Sequence, residues 1–421
     1  MKYNPVPTEN LKVDTVLNFD IYTKHKDRFV LFRQKLHPFT EDVLYKLVES
    51  KIDTLYVTKE GLIEFQKYSL SIKDKIRTDL TKEGFTGPIF NKPENVEKYY
   101  KTFFDHYPIE KQALIPGSKV NFNIYEKKDL DVELYLGPFS LYDIPDTVPD
   151  DISECNLPLV IEKKDIPLYK EYMQDLTKKY SKQKTSRELQ LSIVRENSKL
   201  VVKDVLENPR SGKNIKKSSE VVETLIGAVL YNDDNFYNLL KITSYDYYTY
   251  SHSLNVCTLS VGLGIATNLE KSDLMDLGLG AVLHDIGKSL VDPRIITKPG
   301  RLTEKEYNEV KKHVINGKVV LDKSHSQLPI KSYFPILQHH EKLSGKGYPY
   351  GLKGEKIHLF GRITAIVDFY DALTTKRPYK NANNPFETLQ LISECLEDYD
   401  TELLKAFVMM LGHQAAKSEK Q

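Results

Sequence analysis

Apolar and polar positions alternate in strand fashion over residues 18–22 and 29–32, and after Thr40 a helical spacing sets Leu44, Leu47 and Val48 on one side. This predicts a small α+β module over residues 1–68. A helical connector, 69–112, follows, with its clearest helix at 94–106, and a second α+β module spans 113–172. The second module reads as a degenerate tandem repeat of the first. Leu11, residues 18–22 and Lys24 match Leu114, residues 121–125 and Lys127 at one constant offset. Leu55-Tyr56-Val57 ahead of Phe65 and Tyr68 likewise matches Leu159-Val160-Ile161 ahead of Tyr169 and Tyr172. From about 166 to 206 the chain is charged, glycine-free and helical in period, so 173–214 reads as a solvated connecting helix, its basic stretch 178–184 facing water or bridging domains. Pro209 and Gly212 break it, and Ser218 or Ser219 is the expected cap of the next helix. Beyond lies an all-α domain, 215–415, which makes the chain α+β overall.

Composition narrows the class without naming a chemistry. At 421 residues the chain suits two or three domains. Lys and Arg number 60 against 59 acidic residues, so the bulk charge makes no case for a nucleic-acid polymer or an anionic membrane as main partner, while small charged ligands stay open. Cys155, Cys257 and Cys395 are isolated and odd in number, which argues for a reducing compartment. No apolar run approaches the roughly 18 residues of a membrane span, and the polar start lacks a signal-peptide core, so the expected location is the cytoplasm. The glycine pairs Gly262/Gly264 and Gly278/Gly280 follow helical segments, which rejects a dinucleotide-binding fingerprint.

Eight of the eleven histidines fall after residue 250, the clustering a metal site needs. His284-Asp285 ends an apolar helix and runs into Gly287, a glycine that stops the helix or lets backbone approach a ligand. Adjacent helical residues diverge by about 100°, so the pair suits two metals, the imidazole on one and the carboxylate bridging both. His252 has Asn255 on its own helix face; alone it would read as a hydrogen-bonded core residue. His313 follows the capping box Thr303–Glu306, which is expected to start its helix; alone it would read as a surface histidine. His339-His340-Glu341 opens a glycine-rich loop through Gly345 and Gly347 to Tyr348-Pro349, a pattern suited to metal ligands facing a cleft. Asp368 and Asp371 lie one turn apart on an apolar helix, where an unpaired buried carboxylate costs on the order of several kcal/mol. Asp368 is therefore expected to meet a cation, and Asp371 to be a structural hydrogen-bond acceptor.

HDIGK at 284–288, HHEKLSGKGYP at 339–349 and DFYDALTTKRPYK at 368–380 resemble the HD-GYP family of cyclic di-GMP phosphodiesterases. The resemblance covers roughly 215–415, with linking phrases such as ITKPGRLTEKE. It implies a helical HD domain with a two-metal centre made by His252, His284, Asp285, His313, His339, His340 and Asp368, Asp285 bridging. It also implies catalysis by Asp285 and Lys288, the latter on the scissile phosphate. Substrate contacts would come from Lys288, Gly347, Tyr348, Arg377 and Lys380, and the Gly347-Tyr348-Pro349 loop would offer a docking surface for a GGDEF-domain diguanylate cyclase. Cyclic di-GMP would be opened to pGpG and onward to GMP, with two iron or manganese ions supplying the nucleophile. Two departures stand out. Tyr248 occupies the position of a glutamate used by three-metal members, and Ser344 replaces the acidic or amide residue usual before the first loop glycine. Two other readings compete: a degenerate sensor that binds cyclic di-GMP or a cyclase without cutting, and an HD-superfamily nucleotidase. The amino-terminal modules carry no cofactor or metal motif and are expected to regulate or oligomerise the chain, with a homodimer as the candidate assembly.

Overall fold

The computed structural model describes residues 3–7, 11, 15–25, 28–36, 38–39, 43, 47, 50, 52, 54–65, 67–68, 93–137, 146–180, 186–230, 249–324, 327–375, 384–395 and 397–418. Thr40, Leu44 and Val48 of the first expected helix, the basic residues 181–184, Tyr248, Arg377 and Lys380 lie outside them. The chain divides into two compact units, Met1–Asn95 and Val96–Gln421.

In the first unit β1 (Tyr3–Pro7), β3 (Ile21–His25), β4 (Arg28–Arg33) and β6 (Thr54–Thr58) form an antiparallel sheet in the order β1-β6-β3-β4. Short strands β2 (Thr15–Val16) and β5 (Pro38–Phe39) pair separately. Alternation along β6 turns Leu55 and Val57 inward. The strand expected at 18–22 starts only at Ile21, because Asn18-Phe19 bends to drop the Phe19 ring edge-on against Phe65 and Tyr68, at 5.6 and 5.5 Å.

The second unit opens with α1 (Pro93–Asp105, its first residues at the boundary between units) and a sheet of β7 (His106–Ile109), β9 (Ile124–Lys128), β10 (Asp131–Leu136) and β12 (Leu159–Glu162). Its order, β7-β12-β9-β10, is that of the first sheet strand for strand, and the short pair β8 (Lys119–Val120) with β11 (Asp146–Thr147) accompanies it. Phe122 meets Tyr169 and Tyr172 edge-on, as Phe19 meets Phe65 and Tyr68. The boundaries expected at 112/113 and 172/173 therefore move. β7 already belongs to this module, and α2 (Ile166–Tyr180) buries Tyr169, Met173 and Leu176 in its core.

The largest departure is α3 (Arg187–Glu207), which is not a solvated connector. Ile193 and Leu200 enter the core of the second α+β module, while Leu191, Val202 and Val205 enter the core of the helices that follow. Arg195, Glu196 and Lys199 are buried with them. Burial is tolerated because the charges answer one another: Lys199 Nζ lies 2.7 Å from Glu196 and 3.5 Å from Glu110, and donates to the Pro108 carbonyl at 3.1 Å. No unit boundary falls near residue 214.

After Glu162 the described residues contain helices and no strand. α4 (Gly212–Leu230) begins earlier than expected, with Ser211 Oγ accepting from the Asn214 N–H, while Ser218 is buried mid-helix. α5 (Thr249–Ala266) and α6 (Lys271–Val282) are buried on most sides; α7 (Pro293–Ile296), α8 (Glu304–Lys311), α9 (His313–Lys323) and α10 (Tyr333–Gln338) are short. α11 (Leu359–Thr374), α12 (Pro385–Glu394) and α13 (Thr401–Ser418) complete the domain. No helix among the described residues is long and apolar enough to cross a membrane.

Candidate metal centre

All seven expected ligand residues converge. His252 comes from the first turn of α5, His284 and Asp285 from the turn after α6, His313 from the start of α9, His339 and His340 from the end of α10, and Asp368 from α11. The capping box is present as expected, Thr303 and Glu306 bonding each other's backbone, but it starts α8; the chain turns at Lys312 and His313 opens α9. That turn takes His313 to full burial rather than to the surface. Gly287 serves protein backbone rather than a ligand: a Cβ there would lie 1.9 Å from the His313 carbonyl oxygen and 2.4 Å from the Gly317 nitrogen. This close approach seats α9 against the His284-Asp285 turn.

The imidazoles are oriented by backbone. Nδ1–H of His284 donates to the Ala281 carbonyl at 2.8 Å, that of His313 to Val310 at 2.6 Å, and that of His339 to Pro335 at 2.7 Å. A carbonyl only accepts, so each ring must carry its proton on Nδ1 and aim an Nε2 lone pair inward. The Nε2 atoms of His313 and His339 then face each other at 3.2 Å, two lone pairs that repel unless a cation lies between them. His284 Nε2 and Asp285 Oδ1 are buried without a hydrogen-bond partner. Three overlapping donor groups result: His313, His339 and His340; His252, His284 and Asp368; and His284, Asp285 and His339, which joins the first two. Asp285 stands between those two, Oδ1 at 3.3 Å from His313 Nε2 and Oδ2 at 3.3 Å from His284 Nε2. Imidazole and carboxylate donors with orphaned lone pairs fit two divalent cations of the Fe, Mn or Zn kind.

Electrostatics agree with this fit. Burial opposes ionisation of Asp285, yet neighbouring His284 and Lys288 hold its carboxyl well below the usual range. Burial drives His313 down to about 4 and His340 to about 3, keeping both neutral and able to ligate. His252 behaves oppositely: burial lowers it, but Asp368 and Asp371 outweigh burial and lift it to about 10. A proton there stands where the carboxylates call for positive charge.

Asp371 is more than an isolated acceptor. Its Oδ2 accepts from His252 Nδ1 at 2.7 Å and its Oδ1 from Asn255 Nδ2 at 2.9 Å, which fixes the His252 ring with Nε2 towards Asp368 at 3.1 Å. Asp371→Ala should therefore weaken metal affinity by about 10–100-fold, read by competition with a chelator; wild-type affinity would leave Asp371 a packing residue only.

A cavity of about 690 Å³ opens in front of the cluster, reaching His313, His339, His340 and Asp368, a size suited to a small ligand. Lys288 lines it, its Nζ 2.5 Å from Asp285 Oδ2. Tyr348 stacks on His340 with centroids 4.7 Å apart, beneath the Lys311 ammonium. The loop that carries it is pinned by Glu341, a buried carboxylate accepting from the Tyr350 and Leu352 N–H groups at 2.7 and 2.9 Å. Gly347 packs so closely on the His340-Glu341 backbone that no side chain fits, and the Tyr348–Pro349 bond is cis. Ser344 keeps a loop contact despite its short side chain, donating to Asp398 Oδ1 at 2.5 Å. Glu341 as a loop anchor, and Tyr307 and Lys311 in the cavity wall, carry no sequence signal beyond their position near the histidine motifs.

Residues 238–403 match the family described as HD domain. A cyclic di-GMP phosphodiesterase of Pseudomonas aeruginosa is 35% identical over 219 residues, 51% of this chain and 52% of the relative. A cyclic di-GMP phosphodiesterase of Thermotoga maritima is 34% identical over 168 residues, 39% of this chain and 45% of the relative. A 3′3′-cGAMP-specific phosphodiesterase of Vibrio cholerae is 34% identical over 207 residues, 47% of this chain and 44% of the relative. The chain thus spans about half the length of the curated relatives it matches. Among solved structures, Bd1817, a HDG"Y"P protein from Bdellovibrio bacteriovorus, shares the fold with a TM-score of 0.57 at 20% identity, covering 73% of this chain and all of that one (100%). Seven converging side chains and the glycine loop agree with these likenesses: residues 238–403 match the HD domain family, and this part of the chain is similar to curated cyclic di-GMP phosphodiesterases.

Proposed function

We propose that the chain is a phosphodiesterase that opens cyclic di-GMP with two divalent cations. The observation that carries this reading is Asp285, whose two carboxylate oxygens face separate histidine sets beside an open cavity. When bound, two cations, iron or manganese in our reading, supply Lewis acidity and activate water for in-line displacement at phosphorus. The chain's own residues do the remaining work. Backbone-fixed imidazoles hold the donor set without reorganisation. Lys288 contacts the scissile phosphate and offsets charge on its non-bridging oxygens, Gly347 and Tyr348 line the cavity against the substrate, and Arg377 and Lys380 hold phosphates or bases. The first product is pGpG, with GMP after a second cut.

The same cavity suits a related ring, and the likeness to a 3′3′-cGAMP-specific enzyme favours cyclic GMP-AMP as the second substrate to test. The outer face of the loop, where Tyr350 is exposed, would dock a GGDEF-domain cyclase. We further infer that the two α+β modules are diverged copies, on the strength of their shared strand order and the Phe19 and Phe122 clusters, and that they regulate the centre or dimerise the chain. The test is direct. Anaerobically purified protein, analysed for metal and supplied with Mn or Fe, should convert cyclic di-GMP to pGpG faster than it opens cyclic GMP-AMP or cuts linear dinucleotides. Binding of cyclic di-GMP with no product under any metal would replace the enzyme by a sensor.

A further inference from the structure

Beyond the ligands, a chain of buried polar groups leaves the metal centre and crosses into the α+β module. It begins at His252, whose Nδ1–H donates to Asp371, and passes to Asn255, whose amide donates to the other Asp371 oxygen. Asn255 Oδ1 in turn accepts from Arg195 Nη2 at 2.7 Å. Arg195 sits on α3, 1% exposed, and its Nε lies 3.9 Å from Glu110 Oε1, just past the end of β7. Each link fits one residue type. Asp371 only accepts and Arg195 only donates, so the group between them must offer a donor on one side and an acceptor on the other, as a carboxamide does. The ends match as well, with a carboxylate to be neutralised near the metals and a buried guanidinium that needs anions around it.

We propose that Arg195 is a positioning residue for the metal centre. Acting through Asn255 and Asp371, it holds the His252 ring with Nε2 towards the candidate metal site, and Glu110 of the second α+β module stands 3.9 Å from its Nε as a countercharge without a hydrogen bond. The inference rests on the metal-centre reading above. It makes the second module part of the wall behind the centre, and shifts of β7 or α3 would reach His252 through three side chains. A packing role alone explains neither the amide polarity of Asn255 nor the buried Arg195–Asn255 hydrogen bond.

The test is a double-mutant cycle on the full chain, read as Mn²⁺ affinity by chelator competition and as ions bound per chain, with melting of the metal-free protein as a check on folding. Arg195→Met and Asn255→Ala should each weaken one of the two ions by about 10–100-fold and leave the other near its wild-type affinity. The double variant should lose no more than the worse single, because both changes cut one chain. If Arg195→Met does not fold, Arg195→Gln takes its place with the same expectation, its side chain being two bonds too short to reach Asn255. Wild-type affinity for both ions in the Arg195 variant, or losses that multiply in the double variant, would overturn the proposal. A wild-type chain that binds no metal would overturn the centre itself, and that result is distinguishable from either.

Discussion

On the proposed function, Asp285→Ala should abolish turnover of cyclic di-GMP, by a factor on the order of a thousand or more, and should lower metal binding. Such a loss exceeds what removal of a single transition-state donor costs, about 10²–10³, because this carboxylate faces both donor sets and no neighbour can replace either oxygen. His284→Ala gives a comparable loss of turnover with a different metal signature. The set of His313, His339 and His340 survives that change and should retain one ion, whereas Asp285→Ala weakens both. Metal content and product formation measured together distinguish the two outcomes. Unchanged turnover in either variant would sink the two-metal reading.

Gly287→Ala should disrupt the site from behind. The added Cβ would lie 1.9 Å from one backbone atom of α9 and 2.4 Å from another, and backbone cannot step aside as a flexible side chain does. The expected cost is about 3–5 kcal/mol, seen as a lowered urea midpoint, and His313 should lose its place as a ligand. Gly227→Ala supplies the contrast, since a Cβ on that exposed face of α4 meets nothing within 4 Å. There the change should stabilise by up to about 1 kcal/mol through helix propensity. Equal midpoints for the two variants would show that the close approach at Gly287 relaxes.

The residues that converge were legible where their chemistry is local. His284-Asp285, His339-His340 and the Asp368/Asp371 pair each announce themselves within a few residues, but only the last pair lies within a helix; the other two sit in turns just past helix ends. His252 and His313 were legible by resemblance; taken alone they read as ordinary histidines, and only tertiary packing shows their Nε2 atoms turned inward. α3 was misread for a physical reason. A run rich in Arg, Glu and Lys reads as solvated unless partners are known, and its partners, Glu110 and Asn255, lie about 60 to 90 positions away in sequence. The i, i+3 pairs His252/Asn255 and Asp368/Asp371 were each visible in sequence, but that the two pairs bond across α5 and α11 was not. The strand at 18–22 failed by three residues because an aromatic contact bent the chain where alternation alone would have kept it straight.

One helix contributing residues to two cores has a consequence for how this protein can be taken apart. A cut in the segment 207–219, where the sequence breaks most visibly, would leave Val202 and Val205 on one fragment and the helices they pack against on the other. A cut ahead of α3 would strip Ile193 and Leu200 from the module they help to fill. Neither fragment is a cassette. Recombination that exchanged the second α+β module for a foreign one would have to bring a matching α3, with an arginine facing Asn255, and so would carry over part of the wall behind the candidate metal centre along with the new module.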